Sequence, residues 1–564
     1  MGKHFFSLFA ISIFSLIGLK ALIHSGLFTA HDIWHQVARL YHYQKAVSDG
    51  QFPPYWIGTL AHGLGYPLFF FSYHLPWLLA LPILGIGINI PTTIKVLFFI
   101  SYFLSGIFMY LFANSLFRNR TAGLLVSILY LWAPYRFLTI LVGAAMGTAF
   151  VFVFLPLLLL GIWKIGSDKE PNNGIVLSAL SLAGIILSHL MTLFSIIPFV
   201  FIFSFWILCQ EKKRVLWHFL QKVAKALIIG IGISSFYLLP AIFYRSLTQV
   251  STGYFKDLYK QNFPNLGQLI YSKWGYGIPH ENIKEEVFSL QVGIAQWLSF
   301  AGIIFVIAIL FFGKKFQLIR KIKNILLRKT GKNHQNLIIV LAAGFTLNIF
   351  FMLDLSRPIW DGVSKLVILD YPTMFMLPAV FVGSILGGAL FLSAREPFRT
   401  FILFGLVLTA IYTNRNHLRV NMYTYFPVSL YVESETTTNS FHEYLPAKAD
   451  LKSLYEEGVP LIIPKNLEVS DFNQNTKQMS LSVYTPEETD IVLKHFSFPG
   501  INLYVDRERK NFTSDKIGRI KFTATEGEYK ILVKFEDTPL IKTGKAITLL
   551  SLFLVFYIWR RSYA

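Results

Sequence analysis

Runs of about twenty apolar residues recur along this 564-residue chain, most of them closed by a short cluster of Lys and Arg. The hydrocarbon core of a bilayer is about 30 Å thick, so a helix of about twenty apolar residues spans it. Only 15% of the residues are charged and 54% are hydrophobic, whereas a soluble domain is roughly a quarter charged. The chain reads as an integral membrane protein. Its formal charge of +20 does not point to nucleic acid, because the basic residues sit in clusters between apolar runs, as loops retained on the cytoplasmic side do. The single cysteine, Cys209, rules out an internal disulfide and a thiolate metal site.

The start, Met-Gly-Lys-His followed by Phe5 to Ile23, looks like a signal sequence with a long apolar core and no small-x-small cleavage site. It is expected to remain as a first helix with its N-terminus in the cytoplasm. Further crossings are expected near 94–114, 121–134, 148–165, 174–190, 193–209, 224–243, 291–312, 337–353, 371–392, 399–413 and 545–559, about twelve in all. The stretch from Pro67 to Ile88 is broken by Pro67, Pro76 and Pro82. It is assigned to a juxtamembrane or re-entrant helix on the outer side. Arg118 and Arg120, Lys212 to Arg214, Lys314 to Lys332, Arg395 with Arg399, and Arg560 with Arg561 then all fall inside. The Lys314–Lys332 loop reads either as an amphipathic helix on anionic lipid or as a solvated run of charge.

Hydropathy drops after residue 414. Short alternating segments follow, Leu461–Ile463, Gln478–Val483, Ile491–Phe496, Asn502–Val505, Arg519–Thr523 and Tyr529–Phe535, bounded by Gly, Pro, Asn and Asp. They read as strands. The expected organisation is a multi-helix transmembrane domain over 1–414 with a first outer loop at 24–92. A β-rich domain over 415–542 follows, then a final helix with a short cytoplasmic tail over 543–564. The fold class is an all-α polytopic membrane protein with a small extracytoplasmic β-domain near the C-terminus. Localisation in the cell membrane, multi-pass, follows.

The first outer loop carries the chemistry. It holds Thr29-Ala30-His31-Asp32-Ile33-Trp34-His35-Gln36-Val37-Ala38-Arg39, then Asp49-Gly50-Gln51-Phe52-Pro53-Pro54-Tyr55-Trp56, then Gly63-Leu64-Gly65-Tyr66-Pro67. Asp32 lies just past the outer end of a helix, where a carboxylate stays hydrated and avoids the cost of burial in hydrocarbon. In a helix starting at Asp32, His35 and Arg39 fall at i+3 and i+7 on its face. Such a carboxylate can deprotonate a hydroxyl that attacks a phosphate-activated carbon, and an arginine can hold phosphate bidentately. The alternative is an interfacial ion pair that anchors the loop. His31 and His35 also have metal-ligand spacing, but no Glu sits at the motif's second position and no third ligand is in sight; no metal or cofactor is assigned.

The pattern H-D-x-x-H-x-x-R, D-G-x-F-P-P-x-W and G-x-G-Y-P-L-F-F-F resembles bacterial polytopic proteins of the GT-C glycosyltransferase class. It is closest to the "6-pyruvoyl-tetrahydropterin synthase-related" membrane proteins and the YfhO-like proteins. The resemblance extends to Leu187-Ser188-His189-Leu190-Met191-Thr192, to Ser356-Arg357-Pro358-Ile359-Trp360, and to Phe498–Asp506. It implies a GT-C-like membrane domain and a transferase that takes a sugar from a polyprenyl-phosphate donor to an envelope glycan, lipid or protein acceptor on the outer face. The proposed catalytic base of that class maps onto Asp32. His31, His35, Arg39, Tyr66 and His189 would line the substrate cavity, and Arg136, Arg245, Arg357 and Lys365 are outer-side cations able to hold the carrier phosphate. Where relatives tend to show Q-F-P-W-R-F, this chain has Asp370-Tyr371-Pro372-Thr373-Met374-Phe375, with Met374 at the arginine position. That departure keeps two other readings open, a flippase or transporter for lipid-linked glycans and a structural membrane protein with a decayed site. Almost no ionisable residues fall in the middle of the apolar runs, which argues against ion-coupled transport.

Overall fold

The computed structural model describes residues 4–167, 170–210, 213–252, 254–277, 283, 287–365, 371–450, 452 and 459–561. Lys212 and Asp370, both singled out in the sequence, lie outside these residues. Among the described residues nine helices are long and apolar enough to cross a membrane, from Ile90–Phe117 to Pro539–Arg561. Arg120–Leu131 and Pro134–Val142 together form a tenth, bent by 51°. Phe5–Gly18 and Phe398–Asn414 are apolar but shorter. At about 1.5 Å per residue, a 14-residue helix falls short of a 30 Å core. The apolar segments marked in the sequence are thus all helical. Length and composition alone qualify nine or ten as crossings, against the roughly twelve the sequence suggests, while the shorter Phe5–Gly18 and Phe398–Asn414 still lead from one end of the bundle to the other. The proline-broken stretch forms two short helices, Leu68–Phe71 and Leu75–Gly85, neither long enough to span.

Local sequence sets the boundaries. Asn89 caps Ile90–Phe117 by accepting the Thr92 amide at 2.9 Å, with Pro91 in the first turn where no amide is needed. That helix stops where Arg118 turns left-handed (φ +50°), and Asn119 at once caps the next by accepting the Ala122 amide at 2.9 Å. Met146–Gly166 and Pro171–His189 pack backbone to backbone through Gly161 and Gly174. A Cβ at Gly174 would lie 2.8 Å from the Gly161 carbonyl oxygen, closer than real contacts allow.

The loops gather at two ends of the bundle. At one end residues 24–89 meet 142–145, 187–192, 236–276 and 415–450. His74 donates its amide to Leu187 (3.1 Å), Thr29 to Met422 (2.9 Å) and Gln249 to Leu445 (2.8 Å), while Trp274 stacks on His417 at 4.0 Å. At the other end the basic loop folds on the 393–399 turn: Arg328 donates its amide to Ser393 and Arg395 to Leu326, both at 2.9 Å. Within that basic loop Gln317–Leu326 is a helix. It turns Leu318 and Ile325 outward (71% and 61% exposed) and packs Ile319, Ile322 and Leu326 against the core.

The C-terminal region holds two antiparallel sheets. One has four strands, with Thr489–Phe496 between Ile462–Ile463 and Arg519–Ala524, and Thr513–Ser514 outermost. The other has five, with Gly527–Phe535 at its centre between Gln478–Thr485 and Ile501–Val505. All six segments marked by alternation are strands, and their buried positions, Leu481, Val483, Ile491, Leu493, Leu503, Ile520, Ile531 and Val533, belong to one apolar cluster. Glu468–Gln474 and Glu508–Lys510 are further strands; they lie at sheet edges, and their mostly exposed side chains show no alternation to read.

Candidate functional site

The D-G-x-F-P-P-x-W and G-x-G stretches seat this β-domain on the helical bundle. The Asp49 carboxylate accepts the Thr476 amide and hydroxyl at 3.0 and 2.8 Å. Gln474 donates to the carbonyls of Gly58 and Gly63 at 2.9 and 2.8 Å, and Phe496 donates its amide to Leu64 at 2.7 Å. The Trp56 indole stacks between His495 and Phe498, 5.5 and 5.9 Å between centroids. A Cβ at Gly65, where φ is +90°, would overlap that indole, so only glycine serves there.

Asp32 lines a separate cavity, whose wall includes none of these seat residues. The helix starts at Ile33, one residue later than expected, with Asp32 as its cap residue and no capping bond from the Asp32 side chain. Backbone bonds fix its position: His31 donates its amide to Val142 at 2.8 Å and Asp32 donates to Gly143 at 3.1 Å. The accepting turn is held in place by Gln36, which donates to the Ala144 carbonyl at 2.9 Å and accepts from the Tyr73 hydroxyl at 2.8 Å.

A cavity of about 340 Å³ opens here, walled by His31, Asp32, Tyr135, His189, Thr192 and Met374 among others. Asp32 is half-buried, and among the described residues its carboxylate makes no side-chain hydrogen bond. Burial raises its proton affinity above the usual carboxylate range, outweighing Arg39, His35 and His31, which pull it down; Glu435 adds to the rise. On the same helix, burial works against the charge of Arg39, yet Tyr73, Asp32, Tyr444 and Glu443 outweigh it and hold the guanidinium protonated. His189 Nδ1 accepts from both the Thr192 amide (3.3 Å) and its hydroxyl (2.8 Å). A nitrogen that accepts carries no proton, so the neutral ring is protonated at Nε2.

The other expected residues divide. His31 lines the cavity, its Nε2 donating to the Tyr276 carbonyl at 3.2 Å. His35 is engaged on both ring nitrogens, by Glu435 and Ser440 at 2.9 Å each, so the His31–His35 pair does not converge on one point. Among the described residues no group of three or more His, Cys, Asp or Glu side chains is placed to hold a metal ion. Arg39 donates to the Thr438 carbonyl at 2.8 Å. Tyr66 is fully buried and its hydroxyl accepts the Tyr444 amide at 3.1 Å; it does not line the cavity.

Arg136 is a clearer correction. The sequence places it in a short outer loop, but the helix resumes after Ala133 and carries it inward. It is fully buried, 4.0 Å over the Phe152 ring, with one bond to Ser105 at 3.1 Å. Arg357 is tied to Asp354 at 2.8 Å and to the Lys260 carbonyl at 3.2 Å, and Lys365 is exposed; neither lines the cavity. Arg245 is also outside it. Met374, the departure from the related motif, does form part of the wall. Tyr371 and Thr373 reach the wall beside it, and Thr192 reaches it from the end of the Leu187–Thr192 stretch. Phe288 lines the wall, and Glu435, outside it, acts on Asp32 through its charge; both come from far along the chain with no local signal.

Residues 70–362, just over half of the chain, match the 6-pyruvoyl-tetrahydropterin synthase related domain, a family of membrane proteins. The chain belongs to this family. The match begins after Asp32 and takes in His74, Arg136, His189 and Arg357. An uncharacterized protein of Lactococcus lactis subsp. cremoris (strain MG1363) is 25% identical over 252 residues, 43% of this chain. The chain spans about 40% of the length of that curated relative. Among solved structures, the arabinofuranosyltransferase AftD from Mycobacteria aligns over 74% of this chain at 10% identity with a TM-score of 0.41. A mutant form of it aligns over 73% at 11% identity and 0.40. The chain covers 27% of each of those proteins.

Proposed function

We propose that this protein is a membrane glycosyltransferase that moves a sugar from a polyprenyl-phosphate donor to a hydroxyl of an envelope glycan, lipid or protein on the outer face. The acceptor oxygen attacks the anomeric carbon as the bond from that carbon to the phosphate oxygen breaks. The hydroxyl proton passes to the Asp32 carboxylate and the electron pair leaves with the polyprenyl phosphate. A single displacement of this kind inverts the anomeric centre.

The observation that carries this reading is the Asp32 carboxylate itself. It is half-buried at a cavity wall, without a side-chain partner among the described residues, and its proton affinity is raised by its surroundings. A base works best when its pKa approaches the working pH. His189, protonated at Nε2, is a neutral donor suited to a sugar hydroxyl or phosphate oxygen in the same cavity. The loops that meet at this end are those which the positive-inside rule puts outside the cytoplasm, the side where the β-domain would then also lie.

One observation favours a second reading. Among the described residues the cavity wall contains no Lys or Arg, and Met374 occupies the position where related motifs carry an arginine. A path for a lipid-linked glycan, without chemistry, fits such a wall. Liposomes containing the protein and radiolabelled polyprenyl-phosphate sugars, supplied with envelope extract, separate the two. Label appearing in a new product supports the transferase. Label that stays on the lipid but becomes inaccessible to an external probe supports the flippase and sinks the transferase.

A further inference from the structure

A second cavity, about 720 Å³, lies away from Asp32 where three parts of the chain meet: the Gly50–Pro53 stretch of the first loop, the sheet edge around Asn502 and Lys534, and the first turns of the Pro539–Arg561 helix. Its wall holds five cations, Lys477, Arg509, Lys534, Lys542 and Lys545, against two carboxylates, Glu536 and Asp537. Both carboxylates are engaged. Asp537 pairs with Lys545 at 2.6 Å and Glu536 with Lys534 at 3.5 Å.

The remaining three cations meet no carboxylate among the described residues. Lys477 donates to the Gly50 carbonyl at 2.8 Å and Arg509 to the Asn502 side chain at 2.7 Å, both neutral, while Lys542 is exposed. Like charges gathered in one concavity repel, and the low-dielectric walls focus their field outward. The chain bears that cost, and an anion bound in the cavity would offset it. The helix start adds a partial positive charge at the same place.

Position selects the class of anion. Pro539–Arg561 has the length and composition of a membrane span, so its first turns, with Lys542 and Lys545, fall at the level of the lipid headgroups. Phe52 stands 64% exposed on the cavity rim, and Leu550 and Phe553, further along the helix, are 64% and 73% exposed. A phosphodiester in the cavity would have apolar surface close by for acyl chains, which a soluble phosphate would not use. We propose that this cavity binds the headgroup of an anionic phospholipid, its phosphodiester held by Lys477, Arg509 and Lys542, and thereby ties the β-domain to the bilayer. This inference stands independently of the transferase reading.

The test uses the full chain in neutral detergent, titrated with phosphatidylglycerol, phosphatidylcholine or soluble glycerol phosphate, with bound lipid followed by native mass spectrometry and folding by thermal unfolding. Wild type should prefer phosphatidylglycerol over phosphatidylcholine by roughly tenfold or more. The Arg509→Gln/Lys542→Gln double variant should lose most of that preference at an unchanged unfolding midpoint in phosphatidylcholine. An Arg118→Gln/Arg120→Gln variant at the opposite end of the bundle should keep it. Undiminished preference in the first double variant would overturn the site, and glycerol phosphate binding as tightly as phosphatidylglycerol would overturn the lipid assignment.

Discussion

Asp49 and Thr476, 427 residues apart, are joined by two hydrogen bonds, at 3.0 Å from the threonine amide and 2.8 Å from its hydroxyl. This contact fastens the β-domain to the loop that also presents Asp32. Its loss in Asp49→Ala leaves the Thr476 amide without that acceptor, at a cost of about 1–3 kcal/mol. The expected result is a lower unfolding temperature and faster proteolysis between the helical bundle and the sheets. Burial raises the Asp49 carboxyl, but its bonds to Thr476 and Lys45 outweigh that and hold it below the usual range. A depressed folded pKa gives stability that is present above the ordinary aspartate value, roughly 4, and is lost as pH falls through the folded one. The wild type should therefore lose stability in that acid range, and Asp49→Ala should show less of this loss.

Gly65→Ala tests the seat of Trp56. Alanine at φ +90° is strained, and its methyl meets the indole. The two together cost about 2–5 kcal/mol. Poor recovery of folded protein, or an unfolding midpoint lowered by several degrees, is expected; an unchanged midpoint would show that the indole is not fixed there.

Asp32→Asn is expected to leave stability unchanged or raise it. The carboxyl holds its proton more tightly in the folded protein than in the open chain. The sign is opposite to that for Asp49: stability is present at low pH and declines as pH rises from roughly 4 through the raised folded value. Asparagine removes that decline, so thermal unfolding at pH 7.5 should occur at the wild-type temperature or above. A functional group that costs stability is common where a site is built for chemistry.

Thr192→Val removes the hydroxyl that fixes the His189 ring. Under the transferase reading the variant should fold normally and transfer more slowly, by roughly tenfold for the loss of one hydrogen bond of about 1.4 kcal/mol. Thr192→Ser should restore most of the rate. Equal rates in wild type and Thr192→Val would remove His189 from the site.

The apolar helices were legible because hydropathy along twenty residues is a local property, and so were the strands whose side chains alternate between core and solvent. The helix that begins beside Asp32 was legible too, because an aspartate ahead of a run with helical spacing marks such a start. Arg136 was not. The break at Ala133-Pro134 looks the same in sequence whether the chain turns outward or resumes its helix after a bend. Nor were the partners of the first loop: the His35–Glu435 and Asp49–Thr476 contacts join residues 400 or more positions apart, and nothing near either residue announces the other. For the same reason the most distinctive stretch, Asp49 to Trp56, reads as a site motif but serves as the seat of the β-domain.

The transfer rate of purified Asp32→Asn, beside wild type in the same liposomes and with a donor that wild type uses, tests the account most directly. Asparagine keeps the shape of the side chain and cannot take a proton. The account predicts a loss of roughly 10²–10⁴-fold with folding intact, and an acid limb in the wild-type pH profile above the ordinary carboxylate range. Transfer by the folded variant at close to the wild-type rate would contradict it.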